Sequence, residues 1–543
     1  MMTINESVPW SFALWALLLI PLLISAMAAR SWGWALATRA AGFNLLLAAS
    51  LWLIALEEPL QSGVLRLGVL QATLLVLVNF LGWIIYRYAA TNFQGDSDGA
   101  RFLRWLTLTL LAVQTLLLVD HLVLFWAAWV GVSLSLNQLL LFYPDRPRAL
   151  LAAHKKFLIA RASELLLALA IGLLYSQFNS FSLSQIMAQI AQLQADQLSW
   201  PLILAALCVA QVALLKCAQL PLQGWLIQVV ESPTPVSALL HAGVINLGGV
   251  LLLLFAPLLS QVVVAQWLLL LVAGPSAVLA ALIMTTRISV KVRLAWSTCA
   301  QMGLMLVECA LGLYELALLH LIAHSCYKAR AFLAAGSAVN EQLEQSVGDA
   351  LGSARLPSLS QWLGATLLVV PLVTGVVWLA HSYLFAAADS NAISGSNAIS
   401  GSLVPWVILS VALITLVAQG LAQQAALSRH WWRPMLAGLL LAAALVALYL
   451  ALKTGLAQAL ELAPRAANLW ADLWVCSLLL VLMLASYSLQ RWPLNTQVRR
   501  LWIALNAGLY LDEWMTRFTL RWWPVTLTPG ATQPSFLDAE VKS

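Results

Sequence analysis

The chain has 543 residues, of which 62% are hydrophobic and only 9% charged. A soluble domain holds about a quarter charged residues, so the composition excludes a soluble globular protein and points to a polytopic membrane protein. The net charge of +6 carries no nucleic-acid signal, because the basic residues gather in short loops between apolar runs, as the positive-inside rule expects.

A spanning helix takes about 20 apolar residues, and that ruler gives roughly fourteen or fifteen candidate spans. They lie near 10–29, 34–56, 67–90, 102–119, 121–142, 157–176, 201–220, 235–256, 264–285, 295–313, 316–336, 362–386, 403–427, 434–452 and 471–489. The runs are long and continuous, unlike the short alternating segments of a barrel. The expected fold is therefore an all-α polytopic bundle of about 14 transmembrane helices, some of them broken. The N-terminus lacks the basic start of a cleavable signal peptide, so the first apolar run is expected to remain as a span. Arg146, Arg148, Lys155 and Lys156 read as one basic loop, and Arg287, Lys291 and Arg293 as another. Counting spans puts both, together with the loop Pro221–Pro235, on the cytoplasmic side of a bacterial inner membrane. The 177–200 loop, with Asp196 as its single charge, is expected outside.

An isolated charge at the centre of a span costs about 2.5–3.5 kcal/mol on insertion scales, so each intramembrane ionisable group is a candidate for function. Asp120 and His121 open a helix. Arg161 and Glu164, in KKFLIARASELLLALAIGLLY, are spaced to pair on one helix face. Lys216 closes an apolar run and is followed by Pro221, which removes a backbone donor. Broken helices at membrane depth line cavities and ion paths; snorkelling of Lys216 to the interface is the competing reading. Glu231 is a possible helix-start acid ahead of SPTPVSALLHAG, where Ser232 or Thr234 is placed to cap the helix that carries His241. Glu308 falls in or near a later span. In HLIAHSCYKAR, His320, His324 and Lys328 recur every four residues. They form one stripe rising about 12 Å, as a proton relay needs; a polar packing face is the alternative.

Signals for a metal or cofactor bound by this chain are missing. The six cysteines, at 208, 217, 299, 309, 326 and 476, form no C-x-x-C pair. The HLIAH stretch lacks the glutamate of an H-E-x-x-H zinc site. Residues 391–402 repeat NAISGS and read as a polar loop, as do residues 337–360. The expected organisation is a bundle over 1–490, with its core near 70–340, and a tail over 491–543. In that tail, NAGLYLDEWMTRFTLRWWP (506–524) reads as an interfacial amphipathic helix, with a partner-docking helix as the competing reading.

The stretches KCAQLPLQGWL, ESPTPVSALLHAG, VRLAWSTCAQMGLM and HLIAHSCYKARAFLAAGS resemble the antiporter-like subunits of respiratory complex I and of Mrp cation antiporters. LLHAGVINLGG and AHSCYKARAFL look closest to the DabB family, the membrane subunits of bacterial inorganic-carbon accumulating complexes. The region after the bundle is short for the long lateral helix of complex I subunit L, which favours the DabB-type reading. The resemblance implies that Lys216 lies on a proton path, that His241 and the His320–His324–Lys328 stripe continue it, and that Arg161 and Glu164 form its ion pair. One departure is clear. Where complex I-type subunits have Trp-Glu-Gly on the fifth helix, this chain has Trp129-Val130-Gly131. Either Glu164 or Asp120 is then expected to partner Lys216, or the pathway differs.

The resemblance also implies a partner, a DabA-like peripheral protein similar to β-carbonic anhydrases that carries the zinc. This chain is then expected to be no enzyme itself but a subunit conducting cations, H⁺ or Na⁺ being open, to drive CO2 hydration to bicarbonate by the partner. The alternatives are a subunit of an NADH–quinone oxidoreductase or Mrp-type antiporter, and a membrane enzyme using His320 and His324 with a metal.

Overall fold

In a bilayer, backbone groups must be satisfied within the segment or the bundle, and the apolar runs of this chain fold as helices. A computed structural model describes residues 8–30, 32–193, 197–337, 358–380, 402–424 and 468–524, with scattered positions between 436 and 451. Asp196, the polar segment 338–357, most of the NAISGS repeat and the span expected near 434–452 lie outside the described residues.

In chain order the first half runs α1 (Val8–Met27), α2 (Gly33–Ala55), a hairpin of β1 (Leu60–Ser62) and β2 (Leu65–Leu67), α3 (Val69–Asn92), α4 (Gly99–Leu118), α5 (Leu122–Leu140), α6 (Pro147–Phe178) and α7 (Leu183–Ala191). The centre holds α8 (Trp200–Lys216), α9 (Gly224–Gln228), α10 (Thr234–Ala242), α11 (Leu247–Leu254), α12 (Ala256–Gln261), α13 (Val263–Thr285), α14 (Val290–Ala310) and α15 (Tyr314–Leu333). Then follow α16 (Leu359–Ala380), α17 (Val404–Gln424), α18 (Leu469–Arg491), α19 (Thr496–Asn506) and α20 (Leu511–Trp522). Among the described residues, nine helical stretches are long and apolar enough to cross a membrane, with shorter apolar helices beside them. Helices α14 and α15 fill two further expected spans, but Lys291, Arg293, Glu308, Glu315, Lys328 and Arg330 make them too polar to qualify on composition.

Two sequence expectations need correcting, and the helical bundle carries one short addition. The hairpin β1–β2 pairs antiparallel around Gly63, whose φ of +59° suits glycine. Lys155 and Lys156 belong to α6, which starts at Pro147, a favoured first helical position. Both are buried, so they are not loop residues. Neither Ser232 nor Thr234 caps α10: Pro233 holds that position, while the Ser232 hydroxyl donates back to the Val229 carbonyl at 2.7 Å. The tail helix α20 packs on α6 and α9.

The two ends of the bundle differ in chemistry. At one end Arg146 donates to the Glu231 carbonyl at 3.2 Å, and Lys291 donates to the Thr234 hydroxyl at 3.2 Å. The basic loops and the Pro221–Pro235 loop therefore meet at one end. At the other, Asp120 joins the start of α5 to the start of α7.

Two helices are broken where the core is most tightly packed. α8 stops at Lys216, and the chain turns through Ala218 at φ +50° and a cis Leu220–Pro221 bond. The groups this break frees find new partners. Gln219 Nε2 donates to the Cys217 carbonyl at 2.8 Å and the Cys299 carbonyl at 3.3 Å. The Leu220 amide donates to Ser276 Oγ at 3.2 Å. The second break, Gly243–Asn246, separates α10 from α11. There Asn246 Nδ2 donates to the Ala242 carbonyl at 2.9 Å and to Ser325 Oγ of α15 at 2.7 Å.

Close approach of α11 to α8 depends on Gly248, where a Cβ would meet Cys217 Sγ and lie 2.8 Å from the Ala213 carbonyl oxygen. Backbone cannot yield as a flexible side chain can. Gly248→Val is expected to cost about 1–3 kcal/mol by overpacking, read as a lower unfolding midpoint of the purified protein in detergent; an unchanged midpoint would contradict this packing.

Candidate functional site

The site grows from the places where ionisable groups enter the apolar bundle. α5 turns Trp129 and Ser133, one helical turn apart, toward α6 and α8. α6 supplies Lys156, Arg161 and Glu164, and α8 ends in Lys216. Lys156, Glu164 and Lys216 line one cavity of about 20 Å³, together with Trp129, Trp225 and Val244. That volume holds about one water. Arg161 and Glu164 pair at 2.7 Å, and Arg161 also donates to Ser133 Oγ at 3.1 Å. Lys156 donates to the Ser133 carbonyl at 2.5 Å. The Lys216 ammonium lies over the Trp129 ring, 4.7 Å from its centroid, a cation–π contact that stabilises charge without an anion. Lys216 is half-buried, while Lys156 and Glu164 are buried. The half-buried Val130, which stands where the resemblance has a glutamate, does not line this cavity.

Of the two acids expected near Lys216, the structure brings Glu164 into its cavity. Asp120 is engaged elsewhere. Its oxygens accept from the Ser182 hydroxyl at 2.6 Å, the Ser184 hydroxyl at 2.8 Å and the Ser184 amide at 2.8 Å. These contacts fix the start of α7, a helix-capping role. Glu231 sits at the basic end, 4.0 Å from exposed Arg148, and closes a short 3-10 turn ahead of α10.

A second cluster lies along α15. His320 Nδ1 is 3.0 Å from Glu308 Oε2 of α14. The His320 and His324 rings are 6.3 Å apart. Lys328, fully buried, donates to the Leu294 carbonyl at 2.9 Å. The same carbonyl accepts from Thr298 Oγ1 at 3.0 Å, and Thr298 Oγ1 is 3.2 Å from His241 Nδ1. The His241 ring stacks on Phe332 with centroids 4.3 Å apart. Thus Glu308, His320, His324, Lys328, Thr298 and His241 form a graded series from one side of the bundle toward the basic end.

The structure adds residues to those singled out from sequence. Lys156 was hidden by the span ruler, which placed the boundary at 157; the Pro147 start signal would have placed it inside the helix. Glu308 was visible as an acid, but its histidine partner lies on another helix. Thr298 carried no sequence signal.

Comparison with known proteins now bears on this geometry. The transmembrane family described as NADH:quinone oxidoreductase/Mrp antiporter matches residues 119–375. The probable inorganic carbon transporter subunit DabB of Hydrogenovibrio crunogenus is 43% identical over 84% of this chain and 83% of its own length. The chain belongs to the DabB family. The probable subunit DabB2 of Halothiobacillus neapolitanus is 37% identical over 86% of this chain and 82% of its own. Subunit L of the Escherichia coli NADH-quinone oxidoreductase is 33% identical over 56% of this chain and 51% of its own. Among solved structures, the Mrp complex from Dietzia sp. DQ12-45-1b contains a chain of the same fold, with a TM-score of 0.63 at 22% identity. The match covers 97% of this chain and 62% of that longer one.

Glu164 pairs directly with Arg161 and lines one cavity with Lys156 and Lys216. Removing a buried partner leaves an uncompensated charge. Glu164→Gln is therefore expected to destabilise the protein by about 3 kcal/mol, whereas Glu513→Gln, at an exposed pair with Arg517, should change stability by less than about 1 kcal/mol. Thermal unfolding of both purified variants checks the contrast; equal midpoints would remove Glu164 from its place as the central anion.

Proposed function

We propose that this chain is the cation-conducting membrane subunit of an inorganic-carbon transporter, and that the cation is the proton. The observation that carries this reading is the cavity in which Lys156, Glu164 and Lys216 meet at the end of a broken helix. Together with membership of the DabB family, it supports transport of charge rather than chemistry on a bound substrate. Lys156 is held by the Ser133 carbonyl, Lys328 by the Leu294 carbonyl and Lys216 by an aromatic face. A carbonyl accepts from an amine and from an ammonium alike, so the Lys156 and Lys328 contacts do not fix one protonation state as a tight carboxylate pair would. In this reading Glu164 and Lys216 form the central exchange point, and the Glu308–His320–His324–Lys328–His241 series extends the path.

The partner in this proposal is a DabA-like zinc protein, which performs CO2 hydration to bicarbonate. The chain sits in the bacterial inner membrane as a bundle of about fourteen crossings, with its basic end in the cytoplasm. One charge crossing 100 mV is worth about 2.3 kcal/mol, well over a tenfold bias on an equilibrium. That is enough to pull hydration of CO2 in one direction.

A second reading, a subunit of an NADH–quinone oxidoreductase or Mrp-type antiporter, draws on the fold. Against it stands Val130, where the acid of those subunits is absent.

The test is uptake. The chain is co-expressed with its DabA-like partner in a bacterium lacking carbonic anhydrase, and radiolabelled inorganic carbon is followed with and without an uncoupler. Uptake should require both chains, collapse with the uncoupler and fall at least roughly tenfold in Lys216→Ala. Uptake indifferent to the uncoupler would end the coupled-transport reading; undiminished uptake in Lys216→Ala would remove Lys216 from the path.

A further inference from the structure

The C-terminal helix α20 brings an acid to the basic end of the bundle. Asp512, in its first turn, accepts from Lys155 Nζ at 2.7 Å with one carboxylate oxygen and from Gln228 Nε2 at 2.7 Å with the other. Lys155 also donates to Thr516 Oγ1 at 2.7 Å. The Lys155 side chain is fully buried, whereas the Asp512 side chain is 36% exposed. Asp512 is therefore where a buried lysine meets solvent.

Three features tie this contact to the lysine cavity. Lys155 adjoins Lys156, which lines that cavity; neighbours on a helix point about 100° apart, so water must carry a proton between them. Gln228 and Gly224 lie one turn apart on α9, and a Cβ at 224 would overlap the Asp512 carboxylate, so that face of α9 is shaped to receive the acid. Between them Trp225 of the same short helix forms a wall of the cavity.

The geometry points to Asp512 as the mouth acid of the cation path at the basic end. This deepens the transport reading above and rests on it. A proton taken from water by the carboxylate gives the neutral acid and leaves the Lys155 ammonium without its counterion. Lys155 then gives its own proton to a water on the way to the Lys156 cavity and becomes the neutral amine. Transfer of the Asp512 proton to that amine restores the carboxylate and the ammonium. One proton has entered, and the pair returns to its starting state. In this scheme the mouth acid belongs to the tail of the chain, while the cavity acid, Glu164, belongs to the bundle.

The test uses the full chain with its partner, and uncoupler-sensitive carbon uptake at matched membrane abundance by immunoblot. Asp512→Asn should lower uptake at least roughly tenfold, Asp512→Glu should retain most of it, and Glu513→Gln should match the wild type. The double variant Asp512→Asn with Lys155→Met removes the buried charge, so it separates a working Asp512–Lys155 pair from a pair that only stabilises the fold. Uptake that stays low in a double variant of normal abundance supports the mouth acid; uptake restored by it would assign Asp512 only to neutralising Lys155 and overturn the inference. Full uptake in Asp512→Asn alone would overturn it as well. If the wild type itself lacks uncoupler-sensitive uptake, the transport reading falls first and this inference with it, a result distinct from failure of the Asp512 variants alone.

Discussion

Cations inside a bilayer-sized apolar bundle are costly, and there are few carboxylates here to offset them. Lys155, Lys156 and Lys328 are buried, and Lys216 and Arg161 are partly so. Burying such groups without partners would cost several kcal/mol each. Two of the five are answered by acids, Lys155 by Asp512 and Arg161 by Glu164. The other three rest on neutral groups: the Ser133 carbonyl, the Leu294 carbonyl and the Trp129 ring. This division separates positions held by a direct ion pair, where in the proposed path the acid must take a proton before the lysine can give one up, from positions held by neutral groups.

The broken helices follow from the same constraint. An unbroken helix keeps its backbone bonds within itself, so each break frees amides and carbonyls that must find partners elsewhere. Ending α8 at Lys216 places the amine at a helix end beside a cavity, while Gln219, Cys299 and Ser276 take up the backbone groups that the break frees. The second break does comparable work between the two clusters. Its Val244 lines the Lys216 cavity, and its Asn246 bonds Ser325, the neighbour of His324. The Gly243–Asn246 segment thus touches both clusters, and Gly248 on α11 lets it sit close to α8.

What could be read from sequence depended on whether a partner was local. The apolar runs, the Lys216–Pro221 break, the Arg161–Glu164 pair and the stripe His320–His324–Lys328 all lie within a few turns of one segment, so spacing alone exposed them. Lys155 and Lys156 were misplaced because a hydropathy ruler trims charged residues from the edge of a span, although Pro147 marks the true helix start. Asp120 was offered as a partner for Lys216 because its residue type suits the role, but Ser182 and Ser184 stand closer. The pairing of Asp512 with Lys155 spans 357 positions, and no local pattern reports a contact of that range. The β1–β2 hairpin escaped for a different reason: three-residue strands are too short for an alternating pattern to register.

The substitution at Val130 brings these threads together. A carboxylate on α5 beside Lys216 would hold that lysine as an ammonium in a tight pair. Here α5 turns Trp129 and Ser133 to the cavity instead, and the acid comes from α6. Glu164 must then serve Arg161 directly and Lys156 and Lys216 at longer range. One anion shared among three cations leaves net positive charge in the cluster. In the proposed reading, a cavity without the α5 acid suits a subunit that passes protons down their gradient.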